Sequence, residues 1–192
     1  ELHTLRRNLN VADKDLANFQ KKNKLDRAAV APKTAWQAAR WLLLIALFLI
    51  ELAVNAGFLA QGSRSGFVGG VTEAFAFSFI NVFGTALITL FGIRHLTNVS
   101  YFWKFVGFVF LIAYVAIALV VNLVLAHFRE IAGNLFDGAG YEALSRVWEN
   151  PFGLGDLMSW MLFAVGFICS VVTAIDVWYM GDPYMGYHAV HK

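Results

Sequence analysis

The sequence predicts an all-α integral membrane protein with four transmembrane helices. It adds an N-terminal cytoplasmic amphipathic helix and a short outer interfacial helix, with both termini inside. Three observations carry this reading. Only 15% of the 192 residues are charged and 59% are hydrophobic, with a mean hydropathy of +0.61, whereas soluble domains carry about 25% charge. Four apolar runs are each long enough to cross a hydrocarbon core of about 30 Å. Basic residues are uneven along the chain, with nine of the 15 Lys and Arg in residues 1–40.

The first segment, residues 1–33, is soluble and reads as a helix. Leu2, Leu5, Leu9, Ala12, Leu16 and Phe19 follow a 3,4,3,4,3 spacing, a short a/d seam. Such a helix either lies on the membrane or its own bundle, or forms the tail of a coiled coil joining several copies. Asn10 and Asp13 offer a fresh helix start that would break the seam. Pro32 ends the segment, because the residue before a proline is pushed out of helical geometry. Thr34 and Gln37 then read as a capping box.

The membrane domain is expected over 34–181. The first span, 36–60, carries Trp36 and Trp41 at the near interface and holds Glu51 and Asn55 within its apolar run. A short glycine-rich connection makes the second span, 71–93, its antiparallel neighbour. Ser78, Asn81, Thr85 and Thr89 share one face there. The third span, 103–126, is the most apolar, with Asn122 as its polar intruder; Tyr101 and Trp103 anchor its start.

Asp137-Gly138 signals a turn. After it, Tyr141, Leu144, Val147 and Trp148 share a face suited to a helix lying in the interface plane. The fourth span, 157–180, has a small-residue stripe, Gly166, Ser170 and Ala174, that admits another helix closely. The tail, 182–192, turns at Asp182-Pro183 and is expected to put Tyr184 and Tyr187 at the headgroups.

Orientation follows from the basic residues. With the N-terminus inside, 12 Lys and Arg are inside and three, Arg64, Arg129 and Arg146, are outside. The expected location is a bacterial inner membrane with both termini cytoplasmic. The first residue is Glu, so upstream sequence is expected to be missing or trimmed. The first apolar run begins some 35 residues in, behind a polar segment, and should act as an uncleaved signal-anchor.

Ionisable and amide side chains inside spans are expensive and mark candidate sites. At about 1.5 Å per residue, Glu51 falls about 5 Å to the outer side of the midplane. Asn55 lies one turn further out on the same face. Asn81 falls near the midplane, and Asn122 about 10 Å to the outer side. These four are expected to form one polar cluster. Glu51 survives there by staying protonated against an amide, or by ionising beside water or a cation. The cluster is interhelical glue, the lining of an ion or proton path, or a lipid or small-ligand pocket. Asp176 lies near the inner surface and is expected to pair with Arg94 or Arg40.

Other chemistry is weakly signalled. His95 and His127 sit at opposite ends of their spans, so one haem is not bridged by both, and a haem or pigment on either histidine alone is not expected. His188 and His191 beside Asp182 have metal-compatible spacing, but a disordered tail explains them more simply. Cys169 is the lone cysteine, so it forms no intrachain disulfide. With no phosphate loop, nucleophile elbow or paired carboxylates, the chain reads as non-enzymatic, without a cofactor beyond lipid. Nucleic acid is disfavoured too, since the N-terminal basic residues are mixed with Asp13, Asp15 and Asp26. The leading functional expectation is a homo-oligomer, assembled through the fourth span and the N-terminal helix around a Glu51 ion- or proton-conducting or -sensing core. The alternative is an accessory or scaffold subunit of a larger membrane complex.

Overall fold

The computed structural model describes residues 1–29, 34–60, 66–132, 139–182, 184, 186 and 187. The regular structure among these residues is all helical, with no strand. The expected proline stop at Pro32, the glycine-rich loop around Arg64, the Asp137-Gly138 turn and the pair His188 and His191 lie outside the described residues, as does Pro183.

Helix α1, Leu2–Asn23, is continuous, so Asn10 and Asp13 do not restart it. It ends at Lys24, which turns into the left-handed region (φ 52°) and closes the helix with Lys21 and Lys22 in the last turn. Helix α2 covers Thr34–Leu59.

The second span begins earlier than expected and is not one regular helix. Helix α3, Gly66–Phe79, passes into a π turn over Ile80–Gly84. Helix α4, Thr85–Phe91, then tightens into a 3₁₀ turn over Ile93–Thr97. Helix α5 covers Tyr101–Ala132, and α6 covers Ala139–Glu149. Helix α7, Leu157–Trp178, is capped by Asp156, whose side chain accepts from the Met158 amide.

Four of these stretches, Thr34–Leu59, Gly66–Thr97, Tyr101–Ala132 and Leu157–Trp178, are long and apolar enough to cross a membrane. They pack antiparallel in sequence order. Helix α7 is the common partner, lying against α2, α4 and α5, while α2 and α3 form a close hairpin. The hairpin is tight because Gly70 sits against the Ala60 backbone, where a Cβ would approach to 2.5 Å. Apolar side chains on the outer faces of the spans, such as Leu49, Phe79, Phe102 and Ile168, are exposed, as a lipid-facing surface requires.

The face expected for α6 divides in the structure. Ala143 and Val147 are buried, and Val147 clusters with Leu123, Ala126 and Leu154. Tyr141 and Trp148 point outward. The far end of the bundle is pinned by polar contacts. Glu130 accepts from the Gly155 and Asp156 amides, Arg129 pairs with Asp156, and His127 Nε2 meets the Pro151 carbonyl at 3.1 Å. The Arg129 hydrogen bond holds the Asp156 carboxyl below its usual range, with the Met158 amide assisting.

Candidate functional site: the polar core around Glu51

The apolar periodicity of the spans turns a narrow polar stripe inward, and that stripe meets at Glu51. Glu51 is fully buried, at 0% exposure. Asn81, in the π turn, is the hub. Its amide nitrogen donates to Glu51 Oε1 at 2.9 Å and to the Gly166 carbonyl at 2.8 Å. Its amide oxygen accepts from Asn122 Nδ2 at 3.1 Å, and the same nitrogen donates to the Ala118 carbonyl at 2.8 Å. Four spans are thus joined through one amide. Asn55, one turn from Glu51, donates to Ser78 Oγ at 2.8 Å rather than to Asn81.

The network is short of donors. Glu51 Oε2, Asn55 Oδ1 and Asn122 Oδ1 are buried and accept from no group in the structure. A buried acceptor without a donor costs about 1–3 kcal/mol. Among the described residues no Lys or Arg forms an ion pair with Glu51. The site is therefore a carboxyl among amides and hydroxyls.

The small-residue stripe of α7 is used inside the chain. Gly166 lies under Asn122, whose Oδ1 would be 1.9 Å from an added Cβ. Ser170 shares a hydrogen bond with Thr85 at 2.9 Å and donates to Tyr114 OH at 3.3 Å. Ala174 packs in the cluster of Ile93, Tyr114 and Ala118. Within the chain these small side chains receive α4 and α5. Glu51 faces the interior of its own bundle.

At the side of the termini, Arg40 pairs with Asp176 at 2.6 Å, flanked by the Trp36 and Tyr179 rings. Arg94 does not join that pair. It caps the end of α7, donating from Nη2 to the Val177 and Trp178 carbonyls. His95 stacks on Trp103 with ring centroids 4.5 Å apart. His95 and His127 are thus engaged at opposite ends of the bundle. No group of three His, Cys, Asp or Glu among the described residues is placed to hold a metal.

A second buried network escapes sequence reading. Arg27, just beyond α1, forms a two-point ion pair with Asp182, Nη1 to Oδ2 at 2.8 Å and Nη2 to Oδ1 at 2.6 Å. Asp182, 1% exposed in its side chain, also accepts from the Tyr184 amide. Tyr184 OH donates to Asn23 Oδ1 at 2.7 Å, Gln20 donates to Tyr187 OH at 2.7 Å, and Tyr187 OH donates to the Arg27 carbonyl. Phe19 stacks on Tyr187 and meets Tyr184 edge-on. Tyr184 and Tyr187 are therefore buried against the end of α1, not spread at the headgroups. The hydrogen bonds that Arg27 donates to Asp182 are the main cause that holds its guanidinium above its ordinary value. The alternating Arg, Asp and Tyr residues were visible in the sequence, but nothing in their spacing pairs them.

The fold and this polar core define a class: a multi-span membrane helix bundle with a sealed, amide-rich interior. No protein-family model, curated protein or solved structure matches the chain.

Proposed function

We propose that the protein is a non-enzymatic membrane assembly module that joins copies of itself through α1, with the four-helix bundle as its rigid anchor. One observation carries the reading. The seam residues Leu2, Leu5 and Leu9 are 74%, 67% and 64% exposed, and no residue of α1 is buried. Yet the end of that helix is fixed to the chain by the Arg27–Asp182 network. An apolar stripe on a helix held at one end favours a partner stripe.

The charges fit a parallel pair. With Leu2 and Leu9 at a and Leu5 at d, Glu1 falls at g and Arg6 at e, so each meets the other across a dimer. Arg7, Lys14 and Lys21 recur every seven residues directly opposite the seam, at the solvent-facing f position. Phe19 is withdrawn from the seam by Tyr184 and Tyr187, so the pairing stretch runs from Leu2 to Leu16. The positive-inside asymmetry supports placing α1 and both termini in the cytoplasm.

Mass in mild detergent tests this reading. The wild type should give a uniform homo-oligomer, and Leu5→Asp with Leu9→Asp should give a monomer of unchanged thermal stability. A wild-type monomer that co-purifies with unrelated chains favours an accessory subunit of a larger complex and contradicts self-assembly.

A second reading rests on the three buried acceptors without donors. A proton on Glu51 Oε2 supplies a donor to the cluster, and so does a water; a small cation satisfies several oxygens at once. In this reading each chain carries its own ion- or proton-sensing site. Its test is the infrared carboxylic-acid band of the folded protein. The band should be present at neutral pH and missing in Glu51→Gln. A carboxylate band in its place rejects the protonated form.

A further inference from the structure

Two openings on the bundle surface share a wall. One is an apolar slot of about 380 Å³ between α2 and the second span, lined by Leu44, Phe79, Phe83, Gly84 and Leu87. The other is a polar recess of about 260 Å³ lined by Gln37 and Arg94. Trp41, Leu90 and Met180 line both, so the recess is the mouth of the slot. The slot falls within the range of small-molecule sites, about 300–1,000 Å³.

The slot is built by the π turn. Phe79, Ile80, Phe83 and Gly84 belong to it or flank it, and π turns in helices mark functional positions more often than chance. Gly84 borders open space in the slot, since a Cβ there would meet nothing within 4 Å, so a long side chain at this position has room to fill it.

The mouth is cationic. Three guanidiniums, Arg27, Arg40 and Arg94, stand near this end against two carboxylates, Asp176 and Asp182. Asp176 is bonded to Arg40, and Asp182 to Arg27. Asp182 attracts Arg94 through space, but the hydrogen bonds of Arg94 go from Nη2 to backbone carbonyls, and its buried Nε has no acceptor. Arg94 is thus a cation that no carboxylate engages in an ion pair among the described residues, and it lines the recess together with Gln37. An apolar slot with a cationic mouth matches a molecule with a hydrocarbon chain and an anionic head.

We propose that this slot holds one anionic phospholipid from the leaflet on the side of the termini, its phosphate at Arg94 and Gln37 and one acyl chain along Phe79, Phe83 and Leu87. The site is independent of the α1 seam, so it stands whether or not copies pair. Its chemistry is a fixed cation for the phosphate and an apolar wall for the chain, with the aromatic Trp41 at the level between them.

The test uses the full chain in mild detergent. Phosphatidylglycerol, phosphatidylcholine and water-soluble glycerol phosphate are titrated separately, with thermal melting and native mass spectrometry as readouts. Phosphatidylglycerol should raise the melting temperature and remain bound as a single copy, while phosphatidylcholine and glycerol phosphate should do neither. Gly84→Leu should fill the slot and abolish retention of phosphatidylglycerol, with lipid-free melting unchanged. Arg94→Gln should weaken phosphatidylglycerol about five- to tenfold. Equal retention of the two lipids overturns the anionic specificity. Undiminished phosphatidylglycerol binding by a folded Gly84→Leu overturns the slot. A glycerol phosphate shift equal to that of the lipid overturns the role of the chain. Should Arg94→Gln fail to fold for want of its bonds to α7, Gly84→Leu and the lipid comparison still decide the matter.

Discussion

Glu51 and Asp182 are both carboxyls with almost no exposure, but different chemistry holds them. Asp182 has a guanidinium at two points, a backbone amide and an aromatic wall. Glu51 has one amide donor at 2.9 Å and an oxygen left over. The Asp182 network joins two ends of the chain beside the membrane, where Arg27 is 44% exposed and water reaches it. The Glu51 network joins four spans where water is excluded. One is a latch made of opposite charges. The other is a seam of amides around a single carboxyl, with no ion pair to Lys or Arg among the described residues. Salt and solvent should act on the first and leave the second untouched.

The largest effect is expected at the hub of the seam. Asn81→Ala removes three hydrogen bonds, to Glu51, Gly166 and Asn122. At about 0.6 kcal/mol per bond in membrane bundles the loss is about 2 kcal/mol, and more if the orphaned Glu51 oxygen finds no water. Denaturation in mixed detergent measures it, and the same loss should appear at low and high salt. Gly166→Ala comes next. Its Cβ must displace a bonded Asn122, so a destabilisation of about 1–3 kcal/mol is expected. A neutral result there would mean that Asn122 is not locked.

The latch should respond differently. Arg27→Gln leaves Asp182 buried without its cation. Because Arg27 is half exposed, the loss is discounted from the values for fully buried pairs to about 1 kcal/mol. It should show locally, as faster hydrogen exchange and proteolysis around residues 19–29 and 182–187, with bundle unfolding unchanged. Raising the salt from about 0.15 M to about 1 M, which shortens the screening length from about 8 Å to about 3 Å, should weaken the wild-type latch in the same direction. If bundle unfolding falls as much as latch protection, the two networks are one unit and the comparison fails.

The smallest effect is at the far end. The Asp156 carboxyl is held low by Arg129. A depressed folded value means stability that is present above the unfolded value of about 3.9 and lost as pH falls through the folded one. Wild-type melting should therefore gain a slight acid-side decline that is missing in Asp156→Asn, which keeps the α7 cap.

The four spans were legible because bilayer crossing demands long apolar runs, and Glu51 and Asn81 could be placed together by counting rise per residue. Depth counting served Asn122 less well. The count set it about 10 Å outward of Asn81, yet the two share a hydrogen bond at 3.1 Å, and α5 runs from Tyr101 to Ala132, longer than the expected span. The π turn left no periodic mark beyond Gly84. The α7 stripe announced a close helix but not whose helix it was, since glycine and serine admit any neighbour. The latch was invisible for a plainer reason: its partners lie 155 to 167 residues apart and share no period. Arg94 and Arg40 were equally good partners for Asp176 by position, and only packing chose Arg40.

The central claim, that α1 pairs copies of the chain, is tested most directly by cross-linking. Cys169 is buried and is the only native thiol, so an added cysteine reports alone. A disulfide needs Cα atoms within about 4.4–6.8 Å, which the a position of a parallel pair supplies and the f position does not. Mild oxidation of membranes should convert Leu9→Cys to a covalent dimer and leave Arg7→Cys monomeric. Equal cross-linking at both positions, or none at Leu9→Cys, would contradict the account.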